Sequence, residues 1–159
     1  MTTKHPTRPL RLALLGLFAA LFAGASAASA AEVEVSIVKI KAVGSPTGAP
    51  EIDEAIADLP AIAGLCRMYA KCTHEGTTRK KVDWGAQVTS GSGAARIAVT
   101  AKAPKKDGGK IPIAVAIGPE GAPCLSNASS VKAGAPLVRF CEKTLPDGTY
   151  IFVVTAKPL

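Results

Sequence analysis

Four cysteines carry the most specific chemistry of this chain: Cys66, Cys72, Cys124 and Cys141. An even number of cysteines is typical of disulfides in an exported domain, and four cysteines allow three connectivities. Structural zinc sites place paired ligands two to four residues apart, whereas spacers of five and sixteen residues separate these cysteines within each half. A redox site would show Cys-x-x-Cys, which is absent. The spacing therefore favours two structural disulfides and predicts neither a metal nor a cofactor.

A strand register indicates which cysteines pair in the second half of the chain. If a turn at 132–133 joins two antiparallel strands, Cys124 lies opposite Cys141 and Leu125 lies opposite Phe140. Directly opposed residues have Cα atoms about 4.5–5.5 Å apart, which is within reach of a disulfide. Because this register also sets apolar residues opposite each other, we predict a Cys124–Cys141 disulfide.

The remaining pair, Cys66 and Cys72, requires the chain to reverse direction. Six positions apart on one helix, the two side chains would point away from each other. They can bridge only if the chain turns near 67–71, between a helix and a strand. We predict a Cys66–Cys72 disulfide on this basis.

His74 is the one histidine that follows residue 30, so any acid–base chemistry would centre on it. No serine lies in a Gly-x-Ser-x-Gly motif, and no glycine-rich phosphate loop is present. We therefore predict that the protein is not an enzyme and that His74 lies on an exposed strand. Two alternatives stay open: a small secreted hydrolase using His74, and a protease-inhibitor-like protein with a disulfide-braced loop at Lys132–Ala135.

Four acidic residues lie within one short stretch and could be imagined as a cation site: Glu51, Asp53, Glu54 and Asp58. They accompany an apolar series at helical spacing that runs from Ile52 to Ile62. Acidic residues in the first turn of a helix also suit its dipole. We interpret the four acids as the solvated face of a helix and predict no cation site.

The first 30 residues have the three parts of a secretory signal peptide. Three basic residues and no acid precede an apolar run over 12–25, and Ala28-Ser29-Ala30 follows at the spacing of a cleavage site. A membrane-spanning helix needs about 20 apolar residues, which is longer than this run. We predict cleavage between Ala30 and Ala31, and a secreted or periplasmic location.

Removal of residues 1–30 changes the charge of the chain. It takes away three of the 19 basic residues and none of the 12 acidic ones, so 16 basic residues remain and the formal net charge becomes +4. Basic clusters remain at 79–81 and across 102–110, where lysines can also protect the edges of a sheet. Aromatic residues for base stacking are scarce. We expect a protein or anionic-polymer partner, no nucleic acid, no transmembrane segment after cleavage, and a monomer.

The rest of the chain, 31–159, is typical of a single mainly β domain. Alternating apolar residues and turn signals predict strands and one helical segment, at 32–43 (strand), about 51–65 (helix), 68–78 (strand), 95–103 and 111–117 (hairpin), 124–130 (strand), and 136–143 and 149–156 (hairpin). Pro60 would kink the helix or end it near Asp58, and Gly64 would end the second piece. The first strand changes the phase of its alternation after Ile37, which indicates a bulge or burial on both faces. The predicted fold class is α+β, with antiparallel sheets arranged as a sandwich or a partly open barrel.

The apolar pattern also predicts the register of the first hairpin. Its two apolar faces coincide only if Ala101 lies opposite Ile113 and Val99 opposite Val115. This register requires a three-residue loop, 106–108, with a left-handed glycine. It also places Pro112 on the outer face, and we expect that strand at a sheet edge.

The last hairpin contains Pro146-Asp147-Gly148 between two β-rich runs, which is a strong turn signal. A three-residue loop at this position would set Phe140 opposite Val154 and Val138 opposite Ala156. The predicted outer face of the hairpin is then partly polar and carries Arg139 and a cysteine.

The mature chain resembles small exported bacterial proteins of unknown function. The likeness covers most of 32–157 and depends on an opening strand at 33–37, a helix at 52–65, a strand around Tyr69 and a closing strand at 148–154. It implies a compact α+β fold and supplies no activity to carry over to this chain, and the cysteines are not part of it. We expect a non-enzymatic binding or envelope-assembly module.

Overall fold

The computed structural model describes residues 32–106, 108–141 and 148–159, except for the side chain of Pro60. The predicted signal peptide and its cleavage position at Ala30 and Ala31 lie outside these residues. Within them the chain forms β1 (Glu32–Val43), β2 (Glu51–Ile52), α1 (Glu54–Ala57), α2 (Pro60–Cys66), β3 (Lys71–Asp83), β4 (Gln87–Ser90), a 3-10 turn (Gly93–Ala95), β5 (Ile97–Ala101), β6 (Ile111–Ile117), β7 (Leu125–Val131), β8 (Leu137–Phe140) and β9 (Thr149–Pro158).

The strands form two sheets. Sheet A has the order β2-β3-β1-β9-β8 and sheet B has the order β4-β5-β6-β7. Neighbouring strands are antiparallel, apart from the short parallel pair of β2 and β3. The prediction of a mainly β fold with antiparallel sheets and little helix is confirmed.

The main core lies between the two sheets. Apolar residues of β1 and β9 in sheet A pack against apolar residues of β5 and β6 in sheet B, and Phe152, Ile37 and Ile113 are fully buried there. Full burial of a side chain of this size stabilises a fold by about 1.5–3 kcal/mol. Each of these strands therefore presents one apolar face to the opposite sheet.

A second, smaller core lies on the other face of sheet A, beneath the helices. Ile40 and Ala42 of β1 join Ile56 of α1 and Ile62 of α2 there. The phase change in β1 thus reflects burial on both faces of the strand, since alternate residues point to opposite sides of a sheet. The pairing of β1 with β3 also shifts, and the extra residue, Glu75, belongs to β3.

The predicted helix over 51–65 is wrong in its bounds. Glu51 and Ile52 form a strand, and the helical part is divided into α1 and α2. Asp53 caps α1 by accepting a hydrogen bond from the backbone N–H of Ala55. Leu59 is extended, as expected for a residue before proline. Proline then begins α2, which continues through Gly64 rather than ending there.

The middle strands differ from the sequence pattern in extent. β3 begins and ends later than the predicted strand at 68–78, because the chain first completes a turn after α2 and then remains paired with β1 as far as Asp83. β4 was not predicted. The Thr78 and Ser90 hydroxyl oxygens are 2.8 Å apart. They join the part of β3 beyond its short pairing with β2 to β4, the edge strand of sheet B.

The predicted register of the first hairpin is confirmed: Ala101 pairs with Ile113 and Val99 with Val115. Gly108 is left-handed, with φ +70°, and residue 107 of the predicted loop lies outside the described residues. The expectation that Pro112 lies on an edge strand is wrong, because β6 lies between β5 and β7. The Pro112 carbonyl accepts from the Lys102 N–H, so its nitrogen faces a position just beyond the end of β5.

The predicted register of the last hairpin is wrong by three residues. Phe140 pairs with Ile151 instead of Val154, and Leu137 pairs with Val154. Because the shift is odd, Val138 and Phe140 pack in the helix-side core, whereas Leu137 points into the main core. The predicted turn residues Pro146 and Asp147 lie outside the described residues.

Candidate functional site

The four cysteines lie in two pairs at disulfide distance, as predicted. Cys66 and Cys72 have Cα atoms 6.1 Å apart and join the end of α2 to the start of β3. Cys124 and Cys141 have Cα atoms 5.9 Å apart. Both residues of the first pair are buried, and Cys124 is exposed.

The register used to predict Cys124–Cys141 is wrong even though the pair is right. β7 and β8 belong to different sheets, and Leu125 pairs with Ile117 rather than with Phe140. The bridge therefore links the edge of sheet A to the edge of sheet B. The second pair therefore has a structural role, which is to hold the two sheets together at this boundary.

Arg139 crosses the same boundary between the sheets. Its Nε donates to Asn127 Oδ1 at 3.3 Å, Nη2 donates to Ser129 Oγ, and Nη1 donates to the Val138 carbonyl at 2.8 Å. The guanidinium therefore links β8 to β7 through hydrogen bonds to Asn127 and Ser129. The sequence pattern assigned Arg139 to an outer polar surface, and it missed this contact because it placed β7 and β8 in one sheet.

The four acidic residues proposed as one helix face do not share a face. Glu51 lies in β2, and its Oε1 is 2.6 Å from Lys71 Nζ. Asp53 caps α1, Glu54 lies in its first turn, and Asp58 follows its last residue. Over the described ranges no group of three or more histidine, cysteine, aspartate or glutamate side chains could hold a metal ion.

His74 is half-buried on β3 and has two polar contacts. Its backbone N–H donates to Asp53 Oδ2 at 3.2 Å, and its Nε2 lies 3.0 Å from Thr77 Oγ1. Hydrogen bonds from the backbone N–H groups of Ala55 and His74 lower the pKa of the Asp53 carboxyl, and attraction to the His74 and Lys71 side chains adds to this. The carboxylate beside His74 is therefore held in its charged form.

Thr77 is a site residue that the sequence reasoning missed. It is exposed, and Gly76 precedes it with φ +143°. A glycine inside a strand often marks a bulge, so Gly76 was the available signal. The bulge at Glu75 places His74 opposite Ile40 and Thr77 opposite Val38, and both partners point to the helix side of sheet A.

A basic face lies on the part of sheet A that the helices do not cover; we define it by Arg79, Lys81 and Lys157. Lys81 and Lys157 both pair with Glu34, from opposite sides, and Arg79 pairs with the neighbouring Ser36. The three basic side chains are exposed. Among the residues that the structure describes, none forms a hydrogen bond or an ion pair with them.

The second basic cluster lies in the segment between β5 and β6. Lys102, Lys105, Lys106 and Lys110 are exposed there. They follow one another along a connecting segment, whereas the basic face brings together residues from β3 and β9. The two clusters therefore lie on different elements of the chain.

The loop named for the inhibitor alternative, Lys132–Ala135, is a tight turn. The Ala135 N–H donates to the Lys132 carbonyl at 3.0 Å, and the Gly134 N–H donates to the Ala156 carbonyl at 2.8 Å. A peptide that pairs with the edge of another protein's sheet is extended. The turn lacks that extended shape.

In the described ranges, no helix has the length and apolar character needed to cross a membrane. The chain matches no protein-family model, no curated protein and no solved structure. The resemblance to small exported bacterial proteins stays a prediction.

Proposed function

We propose that the chain is an exported binding module whose partner is an anionic polymer of the cell envelope. The basic face is the contact surface. The observation that carries the proposal is the convergence of Arg79, Lys81 and Lys157 on one exposed part of sheet A. Lys157 is far from Arg79 and Lys81 in sequence, and only the pairing of β3, β1 and β9 brings it close to them.

The spacing of the basic face suits a polymer with repeated negative charges. Neighbouring strands are about 4.8 Å apart, so Lys81 and Lys157 are anchored about 10 Å apart across Glu34. Arg79 and Lys81 are anchored about 7 Å apart along β3. These distances are within or near the Debye length of about 8 Å at physiological ionic strength. The three positive charges can therefore act on the same stretch of a bound anionic polymer.

Export is part of the same proposal. The leader over 1–30 has the pattern of a signal peptide, and two disulfides are typical of an oxidising compartment. Loss of the leader leaves a net charge of +4, with 16 basic residues against 12 acidic ones. A surface contact with an anionic envelope polymer is consistent with this charge.

The test is retention of the mature chain on immobilised heparin, used as the anionic polymer. A triple variant, Arg79→Gln, Lys81→Gln and Lys157→Gln, should elute at clearly lower salt. Each removed charge should weaken binding by about fivefold, since a basic residue near an anionic surface contributes about 1 kcal/mol. Retention of the unchanged chain should also fall as salt increases, because salt screens exposed charges.

The matched control removes the same charge from the other basic cluster. Lys102→Gln, Lys105→Gln and Lys106→Gln together leave the basic face intact and should elute near the unchanged chain. If this control loses retention and the first triple variant keeps it, the basic face is not the contact surface. Circular dichroism of both variants shows whether the sheets are retained.

A further inference from the structure

The bulge in β3 brings a hydroxyl and an imidazole together. Side chains alternate between the faces of a strand, so residues three apart normally lie on opposite sides. The extra residue Glu75 changes this, and His74 and Thr77 lie on the same side of sheet A. His74 Nε2 and Thr77 Oγ1 are 3.0 Å apart, which is the separation of a nucleophile and its general base.

Asp53 fixes the backbone that carries the His74 ring. Its Oδ2 accepts a hydrogen bond from the His74 backbone N–H at 3.2 Å. With the proton on Nδ1, the Nε2 of His74 can accept the hydroxyl proton of Thr77.

Two hydrogen-bond donors of β3 could stabilise a negative charge that develops beside Thr77: its own backbone N–H and the guanidinium of Arg79. The Glu32 carbonyl accepts from the Leu159 N–H, so even-numbered residues of β1 direct their backbone groups to β9 and odd-numbered ones to β3. Thr77 pairs with Val38, an even-numbered residue, so its N–H points away from β1. Arg79 follows two positions later on the same side of β3.

We propose that Thr77 is an acyl-accepting nucleophile with His74 as its general base, acting on simple carboxylic esters. The Thr77 oxygen attacks the acyl carbon and its proton passes to His74 Nε2. The bond from the acyl carbon to the leaving oxygen breaks, and the leaving alcohol takes the proton. Water then attacks the acyl group with His74 as base, which releases a carboxylic acid and restores the Thr77 hydroxyl.

This activity goes beyond polymer binding and does not depend on it. It supplies the nucleophile that a hydrolase centred on His74 requires. The leaving group and the acyl group are those of an ordinary ester, so the reaction needs no oxidant, metal or second substrate besides water.

The test uses p-nitrophenyl acetate with the full chain, following release of nitrophenolate and locating the acetyl group by peptide mapping. Acetyl on Thr77 supports the proposal. Thr77→Val and His74→Asn should each reduce release above background by about 100-fold, the usual contribution of general base catalysis. Thr77→Ser keeps the hydroxyl and should retain release, and Thr89→Val, at an exposed threonine of β4, is the matched control.

Other patterns overturn the proposal. Acetyl found only on lysines or on His74, or equal release by Thr77→Val and the unchanged chain, excludes Thr77 as the nucleophile. Equal release by His74→Asn excludes His74 as the base. Should Thr77→Val fail to fold, Thr77→Ser together with the mapped acetyl position in the unchanged chain still decides the question.

Discussion

The carboxylate of Asp53 accepts the backbone N–H of His74 at 3.2 Å, and the same side chain caps α1 through Ala55. One aspartate therefore joins the start of the helical segment to β3. Because β3 carries the bulge, this contact also positions the region around Thr77.

Replacement of Asp53 by asparagine should lower stability at neutral pH. The folded state lowers the pKa of this carboxyl below its ordinary value of 3.8, through hydrogen bonds from Ala55 and His74 and attraction to nearby cations. A lowered pKa contributes stability that is present above the ordinary value and is lost as pH falls through the folded-state value. Denaturation midpoints of the two proteins should therefore differ at pH 7 and converge below about pH 3.8.

The control for that comparison is Asp58→Asn, which removes the same charge from the C-terminal end of α1, where no side-chain hydrogen bond is formed among the described residues. A gap between wild type and Asp53→Asn that persists unchanged at pH 2–3 would contradict the assigned role of the carboxylate.

Arg139→Met should lower the free energy of unfolding by about 1–3 kcal/mol, because Asn127 and Ser129 lose the charged donor that links β8 to β7. Arg96→Met is the comparison: Arg96 Nη2 lies 3.6 Å from Oε2 of the exposed Glu120, and such a pair contributes about 1 kcal/mol or less. Urea unfolding measures both. Equal losses for the two variants would mean that Arg139 contributes no more than a surface pair.

The two disulfides should differ in their response to mild reduction. Cys124 is exposed, whereas Cys66 and Cys72 are buried, and thiol–disulfide exchange depends on access to the sulfur. Alkylation of new thiols followed by mass spectrometry should label Cys124 and Cys141 first. Simultaneous labelling of all four cysteines would indicate that reduction requires global unfolding.

Gly76→Ala should lower the free energy of unfolding by about 1–3 kcal/mol, since a side chain at φ +143° is strained even in open space. Gly48→Ala, in a loop position without close neighbours, should change it by less than about 0.5 kcal/mol. Nitrophenolate release by Gly76→Ala should also fall if the bulge positions Thr77 beside His74. Unchanged stability would show that β3 can adopt the bulge without a glycine.

The sequence predicted the β5–β6 register because the odd-numbered residues there form one consistent apolar series. It did not predict the β8–β9 register, since Ile151 and Val153 are as apolar as Phe152 and Val154 and both faces of β9 are buried. Apolar alternation chooses a register only where one face is polar.

The candidate sites were harder to predict than the fold class. The Cys124–Cys141 pair was found through an incorrect sheet assignment, because local spacing cannot show that β7 and β8 belong to different sheets. Lys157 could not be joined to Lys81 without the pairing of both strands with β1. The contact between His74 and Thr77 depends on one bulged residue, Glu75, whose position the alternation pattern does not predict.

The two lateral boundaries between the sheets are closed by different kinds of bond. A disulfide and Arg139 join β8 to β7, whereas in the described ranges the side-chain hydrogen bond between β3 and β4 is one hydroxyl pair, Thr78 and Ser90. Transient separation of the sheets should therefore be larger at the β3–β4 boundary, away from the connection at 84–86 that joins these two strands, than at the boundary closed by the disulfide. Amide protons of β3 should then exchange with solvent before those of β9, which is paired on both sides. The strand that carries Thr77 and two of the three residues of the basic face would therefore be the more easily opened of the two.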